Sequence, residues 1–248
     1  MGDGLRCQDK CFENIELIIF DKDGTLAHSA PYLYQLGRSR TRFLDAQIPG
    51  VQDPLLMAFG FEDHGINPQG LLAVGSRQDN EIAAAAYVAE TGRDWIESLN
   101  IVQSAFAEAD ASMPSKAKTT TVIDGVEDLV RSLHQAQARL GIISSDITKN
   151  VVEFAHQYDL ALYFDYLAGV DTVDKSNPKA CLNFFQQSGI NPANIVVIGD
   201  SAADIRLAQS IGADSIGVTW GWGMTYSIQG AGAIAHHPND ITILTNDQ

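Results

Sequence analysis

Two pairs of aspartates stand where chemistry could be done. Asp21-Lys22-Asp23-Gly24-Thr25-Leu26 follows the apolar run Leu17-Ile18-Ile19-Phe20 directly. In extended backbone, carboxylates one residue apart from a shared neighbour cannot both point the same way, so one can reach a metal or an electrophile while the other lies across the reacting centre. Gly24 permits the tight backbone exit such a loop needs. The second pair, Asp200 and Asp204, sits in Gly199-Asp200-Ser201-Ala202-Ala203-Asp204 after the run Ile195-Val196-Val197-Ile198. If a helix begins near Ser201, both carboxylates stay close to its N-terminus. An acidic turn at the first site and a capping residue at Asp200 or Ser201 would be the plain structural readings. Capping explains one acid, not the pair, nor the coincidence of two pairs at two strand ends. Between them in sequence lie Ser144, with Ser145 beside it, and Lys175. A hydroxyl and an ammonium are what a phosphoryl group needs to neutralise and orient its oxygens.

These residues need a scaffold that gathers strand ends. Leu140-Gly141-Ile142-Ile143 ends at Ser144-Ser145-Asp146, and Ile216-Gly217-Val218 ends at Thr219-Trp220. Apolar runs without alternation mark strands buried on both faces, as in parallel sheets covered by helices. Val126, Leu129, Val130 and Leu133 fall at helical spacing before the run Leu140–Ile143; Val151, Val152, Phe154 and Ala155 open a helix after it; Ile205, Leu207 and Ala208 lie on another. Alternating strands and helices predict an α/β fold, a doubly wound parallel sheet with its polar clusters at the carboxyl ends of the strands.

Residues 31–118 break the rhythm. Trp95, Leu99, Val102 and Phe106 repeat at helical spacing, Ile82 to Ala89 reads as another helix, and five prolines punctuate the segment. No strand is expected there. The economical division is a core of residues 1–30 and 119–248, with an α-helical insertion over 31–118.

Composition narrows the function. The 248 residues carry 31 acidic against 16 basic side chains, a formal net charge of −15. Such a surface repels phosphate backbones and anionic lipid, which argues against nucleic acid and membranes as partners. Three cysteines cannot frame a chain of this length, and Cys7 and Cys11 have no His or third Cys near them to make a zinc site. The N-terminal segment lacks the apolar stretch of a signal peptide and the Ser or Thr of a myristoylation site, Arg6 standing there instead. A soluble protein of the cytoplasm is the expectation.

The order Asp21-x-Asp23-Gly24-Thr25, Ser144, Lys175-x-x-Pro178, Gly199-Asp200-x-x-x-Asp204 resembles the haloacid dehalogenase-like superfamily. More narrowly, it looks like the phosphoglycolate phosphatase-like members, with a helical cap of the C1 type inserted after the first motif. The likeness extends to Thr121–Gln137, to Tyr163-Phe164 with Ala168-Gly169, and to Gly217–Gly221. It implies a Rossmann-like core and a Mg²⁺-dependent phosphatase acting on a small phosphorylated metabolite. Asp21 would be the nucleophile that becomes an aspartyl-phosphate, and Asp23 the general acid and then base. Mg²⁺ would be held by the carboxylates of Asp21 and Asp200 and the backbone carbonyl of Asp23, with Asp204 supporting its water shell. Ser144, Ser145 and Lys175 would hold the phosphoryl oxygens. A phosphomutase of the same superfamily is the alternative activity, a non-catalytic binding member the alternative class. Dehalogenases of the family lack the second carboxylate. Neither the substrate nor the oligomeric state is spelled out by these residues.

One departure from the pattern matters. Close relatives place proline directly after the third-motif lysine, where this chain has Ser176, so Lys179 rivals Lys175. In the insertion, Arg38, Arg40 and Arg42 either meet an anionic leaving group or form a solvated basic face, with Arg38 and Arg42 on one side of a helix. Gly75-Ser76-Arg77 is expected in a loop, where it either shapes specificity or takes no part in it. Trp220 and Trp222 line a cleft or pack at an edge. His236 and His237 read as ordinary exposed residues.

Overall fold

The computed structural model describes residues 4–63, 65–222 and 228–244. In chain order it begins with β1 (Gly4–Cys7), β2 (Lys10–Glu13), β3 (Leu17–Phe20) and β4 (Ala27–His28). Then come α1 (Ala30–Asp45), α2 (Gln52–Phe59), β5 (Phe61–Glu62), β6 (Gly65–Ile66), α3 (Leu71–Val74), α4 (Arg77–Glu90), α5 (Trp95–Ser112) and α6 (Lys116–Thr119). The chain continues through β7 (Thr121–Val122), α7 (Val126–Gln135), β8 (Arg139–Ile143), α8 (Thr148–Gln157), β9 (Tyr166–Ala168) and α9 (Pro178–Gln187). It ends with β10 (Ile195–Gly199), α10 (Ala202–Ile211), β11 (Asp214–Val218), β12 (Ala233–Ala235) and β13 (Ile241–Leu244). Two compact units result: residues 1–28 with 121–248, and residues 29–120.

The first unit is built on a six-stranded sheet in the order β12-β11-β10-β3-β8-β9, every neighbouring pair parallel. Strands β3 and β10 are buried along their whole length, as their unbroken apolar runs require of strands covered on both faces. Helices α7 and α10 turn the predicted residues inward: Val126, Leu129, Val130 and Leu133 on the one, Ile205, Leu207 and Ala208 on the other. From β3 the chain builds outward to β8 and β9 on one side, and β10 then starts the other side. The strand order therefore reverses between β3 and β10. In an open α/β sheet that reversal leaves a crevice at the carboxyl ends of the two strands. Asp21 follows one of them and Asp200 the other.

Two features were not expected from sequence. The chain termini form a second, antiparallel sheet, β13-β1-β2, pairing Gly4 with Leu244 and Cys7 with Ile241. Leu5, Cys7 and Phe12 are buried in it. The insertion is not purely helical, because Phe61↔Ile66 and Glu62↔Gly65 make a short antiparallel ladder.

In the second unit α5 packs against α1 and α4. Val102, Ala105, Phe106 and Ala109 of α5 are buried, with Leu33, Leu36 and Leu44 from α1 and Ala84, Ala85 and Val88 from α4. Among these apolar side chains lies one buried cation. Arg40 donates to both carboxylate oxygens of Asp110, at 2.9 and 3.1 Å, and its guanidinium lies 4.9 Å from the Phe106 ring centroid. Arg77 reaches the same Asp110 and pairs with Glu81 at 2.7 Å. Ser76 and Asp79 form a capping box that starts α4, so Gly75-Ser76-Arg77 is a helix start rather than a specificity loop. Arg40 and Arg77 are thus committed within this unit. Of the cap arginines, Arg42 is exposed, and Arg38 lies 5.8 Å from the Tyr34 ring centroid.

Removing Asp110 would leave the Arg40 guanidinium buried without its carboxylate. Asp110→Ala is expected to lower unfolding stability by about 3 kcal/mol, while Arg42→Ala stays within about 0.5 kcal/mol. Urea unfolding of the two variants checks the contrast.

Candidate active site

The loop after β3 is wound around one carbonyl. Lys22 O accepts hydrogen bonds from the amides of Thr25, Leu26 and Ala27 at 3.3, 2.9 and 2.8 Å, and Gly24 N donates to Ala27 O at 2.9 Å. Gly24 takes φ +82°, and a Cβ there would lie 2.4 Å from Trp222 Nε1 and 2.5 Å from Asp200 Oδ2. Backbone conformation and close approach both demand glycine. Asp21 N donates to Ile198 O at 2.9 Å, which ties the loop to the end of β10.

Three carboxylates converge at the crevice. Asp21, Asp200 and Asp204 are buried and offer oxygens within 4.8 Å of one another. Lys175, 9% exposed, places its ammonium 2.5 Å from Asp21 Oδ1 and 2.5 Å from Asp204 Oδ1. Lys179 is exposed. Geometry therefore brings Lys175, and not its rival, to the carboxylates.

Each acid has its own supports. Asp200 accepts from Thr25 Oγ1 at 3.1 Å and from Trp222 Nε1 at 2.6 Å. Trp220 Nε1 donates to Thr25 O at 2.9 Å, so the segment after β11 braces both the Gly24 loop and Asp200. Trp222 was readable as a cleft lining or an edge residue; instead it orients a carboxylate. Asp204 Oδ2 accepts from Ser201 N and Ser201 Oγ at 3.1 and 2.6 Å, the capping box of α10. With Lys175 on its other oxygen, Asp204 is held as a fixed acid.

The remaining site residues lie around this cluster. Ser144 is buried at the end of β8, its N donating to Ala168 O and its Oγ accepting from Asp146 N at 3.2 Å. Ser145 is half-buried beside it. The Asp23 carboxylate lies 2.7 Å from Lys22 Nζ. Lys22 is 1% exposed and also lies 3.2 Å from Asp146 Oδ2. Sequence reasoning passed over both Lys22 and Asp146. Their signal was a lysine placed between two acids of a buried loop.

Three carboxylates against one ammonium leave this cluster with a formal surplus of two negative charges. Burial pushes Asp21 up to about 6, against the pull of Lys175 and with Asp204 and Asp23 adding to the rise. Burial, with Asp21 and then Asp204, holds Asp200 well above the usual carboxylate range. Lys175 loses some basicity to burial but is held above the ordinary lysine value by Asp204 and Asp21. An all-oxygen donor set short of positive charge suits a hard divalent cation.

Residues 15–212 match the family model for haloacid dehalogenase-like hydrolases. This chain belongs to that family. A phosphoglycolate phosphatase from Vibrio vulnificus is 27% identical over 212 residues, covering 85% of this chain and 86% of the relative. Its counterpart from Salmonella typhi is 25% identical over 214 residues, covering 85% and 83%. The structure of a predicted phosphatase from Clostridium acetobutylicum superposes with a TM-score of 0.65 at 21% identity, covering 91% of this chain and 95% of that one. That superposition shows a shared fold. No helix among the described residues is long and apolar enough to cross a membrane.

Lys175→Met would leave Asp21 and Asp204 buried without their cation. It is expected to cost about 3–5 kcal/mol of unfolding stability. Lys179→Met, at an exposed position, should stay within about 0.5 kcal/mol. Equal effects in chemical denaturation would mean that the ammonium between the two acids contributes nothing.

Proposed function

We propose that this hydrolase is a phosphatase that cleaves a small phosphomonoester through a phosphorylated Asp21. The observation that carries the reading is the buried Asp21–Lys175–Asp204 group beside Asp200 at the reversal of strand order. Asp21 presents a carboxylate oxygen whose partner oxygen is held by an ammonium, as an in-line nucleophile needs. The phosphoglycolate phosphatase relatives support the same activity, and 2-phosphoglycolate is the first substrate to assay.

In the first half-reaction an Asp21 oxygen bonds to phosphorus as the ester P–O bond breaks, and the leaving oxygen takes a proton from the Asp23 carboxyl. In the second, a water oxygen bonds to phosphorus, its proton returns to Asp23, and the Asp21–phosphorus bond breaks. Inorganic phosphate leaves and both acids are restored. Ser144, Ser145 and Lys175 are assigned to the phosphoryl oxygens. The helical unit is assigned the choice of leaving group, with the exposed Arg38 and Arg42 as its candidate cations. A phosphomutase would use the same Asp21 and Asp23 but return the phosphoryl group to a sugar. Release of inorganic phosphate with no sugar bisphosphate present separates the two.

The acid surplus fits Mg²⁺, with Asp21, Asp200 and the Asp23 carbonyl as its protein ligands and Asp204 behind them. Bound there, the ion would neutralise the carboxylates and polarise the phosphoryl oxygens.

Asp21→Asn is isosteric but cannot form the acyl-phosphate, so turnover should fall by at least about 10³-fold with the fold intact. Steady-state assay alongside circular dichroism checks it; near-wild-type turnover would exclude the covalent route. Chelation should abolish activity, and added Mg²⁺ should both restore it and raise the melting temperature, with Ca²⁺ a poor substitute because its larger, looser shell misplaces the phosphoryl group. Full activity after exhaustive chelation would remove the metal from the scheme.

A further inference from the structure

Among the described residues of the catalytic unit, Lys22 is the one fully buried cation that no step above uses. Its neighbours define what it does. The ammonium lies 2.7 Å from Asp23 Oδ1, 3.2 Å from Asp146 Oδ2 and 5.9 Å from the centroid of the Phe154 ring. Burying an ammonium is tolerable only while its carboxylate partners stay in place. Both partners are anchored, and differently. Lys22 fixes Asp23 from the adjoining position, with its own carbonyl pinned by three amides of the loop. Asp146 is fixed from the opposite strand end: its Oδ1 accepts from Ile147 N and Asn150 Nδ2, both at the start of α8, and its backbone N donates to Ser144 Oγ.

We propose that Lys22 is a positioning residue for Asp23, holding that carboxylate in register with the loop that carries Ser144. The proposal rests on Asp23 being the acid that protonates the leaving group. Lys175 is already engaged by Asp21 and Asp204. Without Lys22, Asp23 would keep its place in the chain but lose the ammonium 2.7 Å from its Oδ1. A proton donor displaced by a fraction of an ångström forfeits transfer to a poor leaving group while binding of the phosphoryl group is unchanged. A tie that served only to join β3 to α8 would instead lower stability and slow all substrates alike.

The test compares an alkyl phosphate, whose leaving oxygen needs the proton, with p-nitrophenyl phosphate, whose leaving group departs without it. Lys22→Met should lower kcat for the alkyl ester by about 30-fold or more, with KM within about 2-fold. The pre-steady-state nitrophenolate burst should slow by less than about 3-fold. Lys22→Arg, which keeps the charge, should recover most of the alkyl rate. Losses equal for the two esters, or a Lys22→Met enzyme with wild-type alkyl turnover, would overturn the proposal. Should Lys22→Met fail to fold by circular dichroism, Asp146→Asn carries the same comparison, releasing Lys22 from the Ser144 loop. A leaving-group-dependent loss of about tenfold then supports the role, and a uniform loss refutes it. Asp23→Asn in the same assay separates the two layers of the argument. If it shows the leaving-group dependence and the Lys22 variants do not, Lys22 is a structural tie and Asp23 remains the acid. If Asp23→Asn slows both esters equally, the assignment of Asp23 fails, and the role of Lys22 falls with it.

Discussion

Three buried carboxylates around one ammonium are the constraint that the rest of this protein serves. Removing a carboxylate from water is costly, and an unbalanced cluster is costlier still. A chain that maintains one must hold every member rigidly, or the acids would turn outward. Each of the three is held from a different direction. Asp21 is tied through its backbone to Ile198, Asp200 is gripped by Thr25 and Trp222, and Asp204 is locked by Ser201 into the first turn of α10. The parallel sheet brings their attachment points together, because β3 and β10 are neighbours whose residues pair Phe20 with Ile198. The acids follow immediately, at the one place in the sheet where chain direction leaves room above the strand ends.

The loop that carries Asp21, Asp23 and Gly24 shows how little freedom such a site allows. Gly221 approaches so closely that a Cβ on it would stand 1.9 Å from Gly24 O. Gly24 in turn has no space beside Trp222 and Asp200. Two glycines facing one another let an indole reach a carboxylate across a loop that any side chain would push away. This accounts for the Trp220-Gly221-Trp222 segment after β11 better than edge packing does.

Asp21, Asp23, Asp200 and Asp204 were legible in the sequence for a physical reason. A strand buried on both faces is a continuous apolar run, and the polar residue that ends it marks the carboxyl edge of the sheet without further information. The helices were legible through Val126, Leu129, Val130 and Leu133, since one face of an amphipathic helix is written at fixed spacing. Partnership was not legible. Whether Lys175 or Lys179 meets the acids depends on where the loop before α9 turns, and Asn177 capping that helix decides it. Lys22 reads as any loop lysine until Asp146 arrives from another strand. Arg40 looked like a surface cation because Asp110 lies 70 residues away. The terminal sheet escaped notice for the same reason: β1 is four residues long, and half its pairing comes from the opposite end of the chain.

Where the insertion leaves the core also follows from local pairing. Ala27 and His28 pair antiparallel with Val122 and Thr121, so the chain departs and returns through adjacent rungs of one short ladder. The ends of the inserted segment are therefore fixed side by side whatever its length or content. Closing a longer loop across fixed ends adds only a slowly growing entropic cost, about 0.6 kcal/mol per doubling. The ladder begins directly after the loop that holds Asp21 and Asp23, and Ile123 N donates back to Leu26 O at 3.0 Å. The same backbone hydrogen bonds therefore fix both the point where the inserted segment departs and returns and the base of the loop that carries the acids.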